Sequence, residues 1–170
     1  MKSEYKFVYH TLLRACDSML HLLQKGADFA KEKGNEEEIL NAKLAEDMFN
    51  FTRQVQIFSD NVAGGVARVA GLEKPSMPDV EKTFVELIAR MNTTKDFVKG
   101  VNPDTVEGIE GRQIKLGWMP EGMYYDAPEY LQKFVLQNTF FHIVTAYDIL
   151  RHNGVQIGKT DFLGPIEMKK

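Results

Sequence analysis

The sequence predicts an all-α protein that folds as an up-and-down four-helix bundle, and three observations support this fold class. Four segments of about 20 residues or more repeat apolar side chains at the three-and-four spacing of one helical face. Glycine and proline residues separate these segments. The chain has 170 residues, 44% of them hydrophobic, which suffices to bury one apolar core without disulfides. We therefore expect residues 1–170 to form a single domain.

The first two long helices are predicted from apolar stripes that have clear ends. The first runs from Tyr5 to about Lys31, and the second runs from about Phe49 to Ala70, where Gly71 ends it. Between them, Asn35 is expected to cap a short connecting helix. The second helix also contains a run of small residues that would let a neighbouring helix approach closely. These residues are Ala63, Gly64, Gly65 and Ala67.

The third long helix is predicted from about Asp79 to Lys99, with Val80 as the first residue of its apolar stripe. The last long helix is predicted to begin at Asp126, which would cap it while Glu129 returns the hydrogen bond, and to end near Asn153. The tail from residue 155 to residue 170 is expected to lie extended over the bundle.

The long connection before the last helix, residues 101–126, is predicted to carry a small two-stranded β-hairpin, because apolar and polar residues alternate around Ile114. The same connection is rich in aromatic residues and methionines, a composition typical of contact surfaces. The residues concerned are Trp118, Met119, Met123, Tyr124 and Tyr125. Packing onto the bundle of the same chain is an equally good interpretation of this group.

Charge and cysteine content narrow the possible partners and compartment. With 21 basic and 24 acidic residues the formal net charge is -3, so no broad cationic surface is expected and nucleic acid is not a predicted partner. Cys16 is the only cysteine, which predicts a reducing, cytoplasmic setting. Apolar runs are interrupted within one helical turn, so no membrane span is expected.

Several stretches of the chain resemble a bacterial and fungal family of unknown function within the DinB-like superfamily. The most specific is the segment from Phe141 to Val155 on the last helix, followed by the sequence GKTDFLG at residues 158–164. Matching stretches around the second helix are residues 44–49, 53–56 and 67–71, together with Asp60. The resemblance covers essentially the whole chain. It implies a DinB-like four-helix bundle that is commonly a homodimer.

The wider superfamily includes metal-dependent enzymes, among them thiol-dependent transferases and isomerases, that hold a divalent cation through three histidines. The resemblance places His142 as the first of a pair four residues apart on the last helix, but the second position is Ala146. The third histidine would come from the second helix, where this chain has Gln54, Gln56 and Asp60. We therefore predict no metal site and no cofactor.

His142 is nevertheless the candidate residue for binding or catalysis, and two interpretations of it stay open. It is either a core histidine that is hydrogen-bonded to a backbone or side-chain partner, or a general base or ligand contact in a pocket. Histidine suits the second role because its ordinary pKa lies near neutrality. The other residues predicted to line that pocket are Asp47, Gln54, Asp60, Tyr147 and Arg151.

Two further groups have structural and functional interpretations. Asp60 and Arg68 on the second helix could each pair with the last helix, where Arg151 offers a guanidinium, and an inter-helix ion pair is preferred over an anion site. Cys16 lies on the apolar stripe of the first helix, which favours a core position over a nucleophile.

The sequence thus predicts a small-molecule-binding or non-catalytic dimeric bundle that lacks the three-histidine metal site. The alternative is an enzyme with an atypical metal, or a thiol-cofactor-dependent transferase or hydrolase, that uses His142. A third class, an interaction protein, would assemble through Trp118 or Tyr124. The small molecule itself is not predicted.

Overall fold

The structure, a computed structural model, describes residues 2–104, 106 and 109–165, and most of them are helical. The helices are α1 (Lys2–Lys33), α2 (Glu36–Asn41), α3 (Phe51–Ala70), α4 (Phe84–Gly100), α5 (Ala127–Glu129), a π-helical segment (Tyr130–Leu136), α6 (Gln137–His152) and α7 (Lys159–Leu163). Because α5, the π-helical segment and α6 follow one another without a break, we call residues 127–152 the last helix.

The predicted hairpin on the long connection is confirmed. Strand β1 (Gln113–Ile114) pairs antiparallel with strand β2 (Tyr125–Asp126), with Gln113 opposite Asp126 and Ile114 opposite Tyr125. Strand β2 leads directly into the last helix. The hairpin therefore lies beside the first turn of that helix, and Ile114 is buried in the core.

Among the described residues, four long elements form the bundle: α1, α3, α4 and the last helix. Helix α1 packs against α4 and the last helix, and α3 packs against the same two elements. The stripes predicted from the sequence supply the core, in which Leu12, Phe58 and Ile149 are completely buried. Each helix thus buries its apolar face against two neighbours, which is how a four-helix bundle excludes water from a common core.

The helix directions differ from the predicted up-and-down order. The Phe51 and Phe84 rings lie 5.5 Å apart, and Ser59 bonds Thr94 at 2.8 Å, so α3 and α4 run parallel. In contrast, the pairing of Gln54 with His142 and of Arg68 with Tyr130 makes α3 and the last helix antiparallel. The bundle is therefore up-down-down-up.

The link between α3 and α4, residues 71–83, makes this order possible because it returns along the whole bundle. A 20-residue helix is about 30 Å long, at 1.5 Å per residue. A 13-residue link can span up to about 43 Å when it is extended. The predicted interpretation of this segment as a short turn followed by helix was wrong, since α4 begins at Phe84 and Val80 is exposed.

Helix ends confirm some of the predicted caps and correct others. Gly71 ends α3 in the left-handed region, with φ of 72°, as predicted. Asn35 and Asp126 make no side-chain capping bond, so the predicted caps at both positions were wrong. The capping box is found instead at the start of α4, where the Thr83 hydroxyl accepts from the Glu86 N–H and the Glu86 carboxylate accepts from the Thr83 N–H.

The tail is partly helical rather than extended. Helix α7 (Lys159–Leu163) packs on α1, and the last five residues, 166–170, lie outside the described part of the chain. The His21 imidazole contacts the Asp161 carboxylate at 3.0 Å, and the Tyr147 and Phe162 rings meet edge to face. Along the described ranges, no helix is long and apolar enough to span a lipid bilayer.

Candidate functional site

His142 and Gln54 meet in the interface between α3 and the last helix. The His142 Nδ1 lies 2.7 Å from the Gln54 Oε1, and both side chains are buried. The Gln54 Nε2 in turn donates to the carbonyl oxygen of Phe49 at 3.1 Å, in the segment that precedes α3. These two bonds hold the imidazole and the amide in one arrangement, which is the geometry of a core histidine with a side-chain partner.

The bond from Gln54 to Phe49 determines which tautomer His142 adopts. Because the amide nitrogen of Gln54 donates to the Phe49 carbonyl, its oxygen faces His142 and can only accept. The proton of the imidazole therefore lies on Nδ1 and the lone pair on Nε2. Burial first, and then the positive charge of Arg53, lowers the pKa of His142 from 6.5 to about 4. The ring is neutral at physiological pH.

This arrangement makes His142 a weak acid–base catalyst. A general base is most effective when the pKa of its conjugate acid lies near the working pH. With a pKa of about 4, the His142 imidazole takes up a proton poorly at pH 7. The site holds a neutral, hydrogen-bonded imidazole in a buried interface, and the partner of its Nδ1 is an amide oxygen rather than a carboxylate that would raise the basicity of the ring.

The other residues predicted to share a pocket with His142 lie in different surroundings. Asp47 is exposed in the turns that follow α2, and Arg151 is exposed in the final turn of α6. Tyr147 packs on Phe162 of the tail. Asp60, on α3, forms ion pairs with Arg90 of α4 and with Lys74 of the link. Of the predicted set, the structure brings together Gln54 and His142.

A buried arginine, Arg90, holds the returning link against α3 and α4. Its side chain is 2% exposed, and its Nη1 donates to the Glu81 carboxylate at 2.9 Å and to the Pro78 carbonyl at 3.3 Å. Its Nη2 lies 3.2 Å from the Asp60 carboxylate and 3.0 Å from the Asp79 carboxylate, without an aligned hydrogen bond to any described residue. The Nε donates to the Ser59 hydroxyl at 3.0 Å. Three carboxylates thus surround one guanidinium.

Two more positive charges complete this network. Lys74 pairs with Asp60 at 2.5 Å, and Arg53 pairs with Asp79. Hydrogen bonds from Arg90 and from Gln56 to the Glu81 carboxylate outweigh its burial and hold the pKa of Glu81 below the ordinary value. The three cations balance the three carboxylates, so the network has no net charge. It attaches the link to α3 and α4.

The predicted pairing of Asp60 and Arg68 with the last helix is half right. Asp60 pairs with α4 and the link rather than with Arg151. Arg68 does contact the last helix, where its Nη1 donates to the Tyr130 hydroxyl at 3.0 Å. Cys16 is fully buried in the core, and burial raises its pKa to about 12, so its thiol is not activated as a nucleophile.

Asn61 is a polar contact in the bundle interior that the sequence analysis did not single out. Its amide nitrogen donates to the Val135 carbonyl at 2.9 Å and to the Thr139 hydroxyl at 2.8 Å. Both partners lie where the π-helical segment passes into α6. Arg90 was also missed. Both residues are polar and lie next to a predicted apolar stripe. That position in the sequence could have identified them as members of a buried polar network.

The residues present do not fit a three-histidine metal site. Ala146, which offers no ligand atom, stands four residues after His142, and the Gln54 oxygen is already engaged by the His142 Nδ1. Within the described ranges, no group of three His, Cys, Asp or Glu side chains is arranged to hold a metal ion. Of the three histidine ligands that such a site requires, this chain supplies His142 and lacks the other two.

Aromatic residues of the long connection divide between the core and the surface. Tyr125 packs on Tyr130 and Phe134, and the Trp118 ring lies 6.0 Å from the Phe134 ring. Trp118 is still 65% exposed, and Tyr124 is also exposed. The last helix has an exposed apolar set of its own on its outer face. These residues are Phe140, Phe141 and Val144.

Comparison with known proteins supports the family suggested by these features. The profile of a domain of unknown function (DUF1993) matches residues 5–163. The crystal structure of a DinB family member protein from Shewanella denitrificans is 34% identical over 98% of this chain and 94% of that chain, with a TM-score of 0.90. None of the curated proteins compared with the chain matches it. The chain belongs to the DUF1993 family and has a DinB-like four-helix bundle fold.

Proposed function

We propose that this protein is a non-catalytic, small-molecule-binding DinB-like module that works as a single domain without the three-histidine metal site. The observation that carries the proposal is the hydrogen bond between the His142 Nδ1 and the Gln54 Oε1. The glutamine in this bond belongs to the stretch of the second long helix, with Gln54, Gln56 and Asp60, where the superfamily's third histidine is expected. The same bond holds His142 as a neutral, weakly basic ring.

Metal analysis tests the proposal directly. Protein purified without an affinity tag is analysed by inductively coupled plasma mass spectrometry, beside His142→Ala and the exposed-histidine control His10→Ala. We expect far less than one zinc, nickel or manganese ion per chain in all three proteins. One ion per chain that is lost in His142→Ala and kept in His10→Ala would overturn the proposal.

One observation favours the alternative, an atypical metal- or thiol-cofactor-dependent transferase or hydrolase. The His142 Nδ1–H is donated to a carbonyl oxygen, and histidines that bind metal through Nε2 commonly donate Nδ1–H in this way. A metal bound through His142 with other donors would support this alternative. Absence of metal in the measurement described above would weaken this alternative.

We further propose that the protein is a cytoplasmic homodimer whose ligand is a small molecule rather than a nucleic acid. The dimer is supported by the exposed apolar set of the last helix, because contiguous apolar surface commonly marks a contact site. The compartment is supported by the single buried thiol of Cys16. The net charge of -3 argues against binding to phosphate backbones.

A further inference from the structure

The outer face of the last helix has an apolar centre that lies open to solvent. Its exposed side chains are those of Phe140, Phe141 and Val144. Leu136, one turn before Phe140, lines the same cavity as Phe7 of α1, whose ring is also exposed. The apolar surface therefore continues from the last helix onto α1, and contiguous apolar surface of this kind commonly marks a contact site.

Two opposite charges flank this apolar centre along the last helix. Lys133 lies seven residues before Phe140, and Asp148 lies seven residues after Phe141. Both charged side chains are exposed, so both lie on the outer side of the helix, although Lys133 belongs to the π-helical segment. At 1.5 Å per residue, each is about 11 Å from the midpoint of the two phenylalanines. A positive and a negative charge therefore stand at equal distances on either side of the apolar centre.

A second pair of charges lies about one turn farther from the centre on each side. Glu129 precedes Lys133 by four residues, and Arg151 follows Asp148 by three. Glu129 and Lys133 form an exposed ion pair on their own helix at 2.6 Å. The side chains of Asp148 and Arg151 are exposed and make no ion pair with a described residue. Along the helix the charges are therefore negative and positive before the apolar centre, and negative and positive again after it.

This order of charges favours an antiparallel pair of last helices over a parallel pair. In a symmetric dimer, the same surface of each copy meets the other copy. If the two helices were parallel, Lys133 would face Lys133 and Asp148 would face Asp148, and like charges opposite each other cost free energy. If they are antiparallel about the apolar centre, Lys133 of each copy faces Asp148 of the other, and Glu129 faces Arg151. All of these contacts then join opposite charges.

We propose that a second copy of this chain covers the outer face of the last helix, with the two helices antiparallel and the Lys133 ammonium of each copy paired with the Asp148 carboxylate of the other. The arrangement rests on the homodimer proposed above and gives it a surface, a direction and a register. The two charges reach each other when the helices cross at a small angle of about 20°, which is a common class of helix packing.

Charge reversal tests the pairing. Lys133→Asp and Asp148→Lys are each compared with the unmodified protein by sedimentation velocity at low ionic strength, because salt screens exposed charge pairs. In either variant both contacts across the dimer join like charges, so we expect dimerisation to be about thirty-fold weaker. The matched control Lys31→Asp makes the same change of charge at an exposed lysine in the last turn of α1, and it should leave the dimer intact.

Recombining the reversed charges gives the sharper test. In an equimolar mixture of Lys133→Asp and Asp148→Lys, a heterodimer has opposite charges at both contacts again. The double variant, which carries both substitutions, restores the same contacts within a homodimer. We expect native mass spectrometry to detect the heterodimer in the mixture, and sedimentation velocity to show a dimer for the double variant. A variant that has lost its fold does not recover on mixing, and circular dichroism of each single variant checks its helix content.

The outcomes separate the arrangement from the homodimer on which it rests. Single variants that dimerise as well as the unmodified protein, or monomeric variants whose mixture stays monomeric, would overturn the antiparallel pairing and leave the homodimer in place. An unmodified protein that sediments as a monomer at every concentration would instead refute the homodimer, and the arrangement with it.

Discussion

The Arg90 guanidinium donates to the Glu81 carboxylate at 2.9 Å, and this contact fastens the returning link to α4. The link must run back along the bundle for α3 and α4 to be parallel, and most of its residues are exposed. Arg90 binds it at Pro78, Asp79 and Glu81. Arg90 is therefore the buried cation that holds the link at three positions.

We expect replacement of the Arg90 guanidinium to cause a large loss of stability. Arg90→Met should lower the free energy of unfolding by about 3 kcal/mol, because it leaves the mostly buried carboxylate of Glu81 without its counter-charge. The other two carboxylates of the network keep a cation, Lys74 for Asp60 and Arg53 for Asp79. Urea denaturation followed by circular dichroism measures the change. The control is Lys133→Met, which removes an exposed ion pair with Glu129 and should cost no more than about 0.5 kcal/mol. Similar losses in the two variants would show that the network does not hold the link.

Because the pKa of His142 is lowered in the folded protein, we expect the free energy of unfolding to fall in mild acid. In the folded protein its pKa is lowered to about 4, whereas in the unfolded chain it returns to the ordinary value of 6.5. Below pH 6.5 the unfolded state takes up a proton that the folded state does not, so stability falls as the pH drops from 6.5 toward 4. The full effect is about 3 kcal/mol, at 1.4 kcal/mol for each pKa unit.

Chemical denaturation at pH 7.5 and pH 5 checks this expectation. The unmodified protein should lose about 2 kcal/mol between these conditions from this group alone. His142→Gln, which cannot take up the proton, should lose less by the same amount, whereas the exposed-histidine control His10→Gln should behave as the unmodified protein does. An NMR titration in which the His142 ring shifts with a midpoint near 6.5 would contradict the assignment.

Self-association is predicted to depend on the last helix rather than on the hairpin connection. Phe141 is 56% exposed, and its ring has a described aromatic contact only with the adjacent His142. Trp118 is already packed against Phe134 of its own chain. In sedimentation velocity we expect a dimer that Phe141→Ser shifts toward monomer and that Trp118→Ala leaves intact. The opposite pattern would move the contact to the connection, and an unmodified protein that sediments as a monomer would exclude the dimer.

The stripes and the stop signals allowed the helices to be predicted because they are local properties of the chain. Gly71 ends α3 where its backbone freedom is required, and the alternation around Ile114 becomes a strand. The start of α4 was misplaced because Val80 continues the apolar spacing, although Thr83 and Glu86 already formed the signature of a capping box. In this case a short polar motif was more informative than the apolar pattern.

The helix order and the site could not be derived in the same way, because they depend on contacts between distant residues. The parallel course of α3 and α4 follows from side chains that meet after the chain has folded back, such as Ser59 and Thr94. His142 and Gln54 were both candidates, but they are 88 residues apart, and only the packing of α3 on the last helix makes them partners. In the same way, the apolar periodicity does not predict that Asp60 pairs with Lys74 and Arg90.

Neighbouring glycines on α3 give the sharpest test of the contact between α3 and the last helix. A Cβ on Gly65 would lie 2.7 Å from the Val135 Cγ1, whereas a Cβ on Gly64 would meet the flexible end of the Arg68 side chain on the same helix. We expect Gly65→Ala to lower the free energy of unfolding by about 1–3 kcal/mol through overpacking. Gly64→Ala should stay within about 1 kcal/mol of the unmodified protein, because the gain in helix propensity offsets the displacement of Arg68. Thermal and urea denaturation of the two variants measure the difference, and a Gly65→Ala protein as stable as Gly64→Ala would mean that α3 and the π-helical segment are not in close contact.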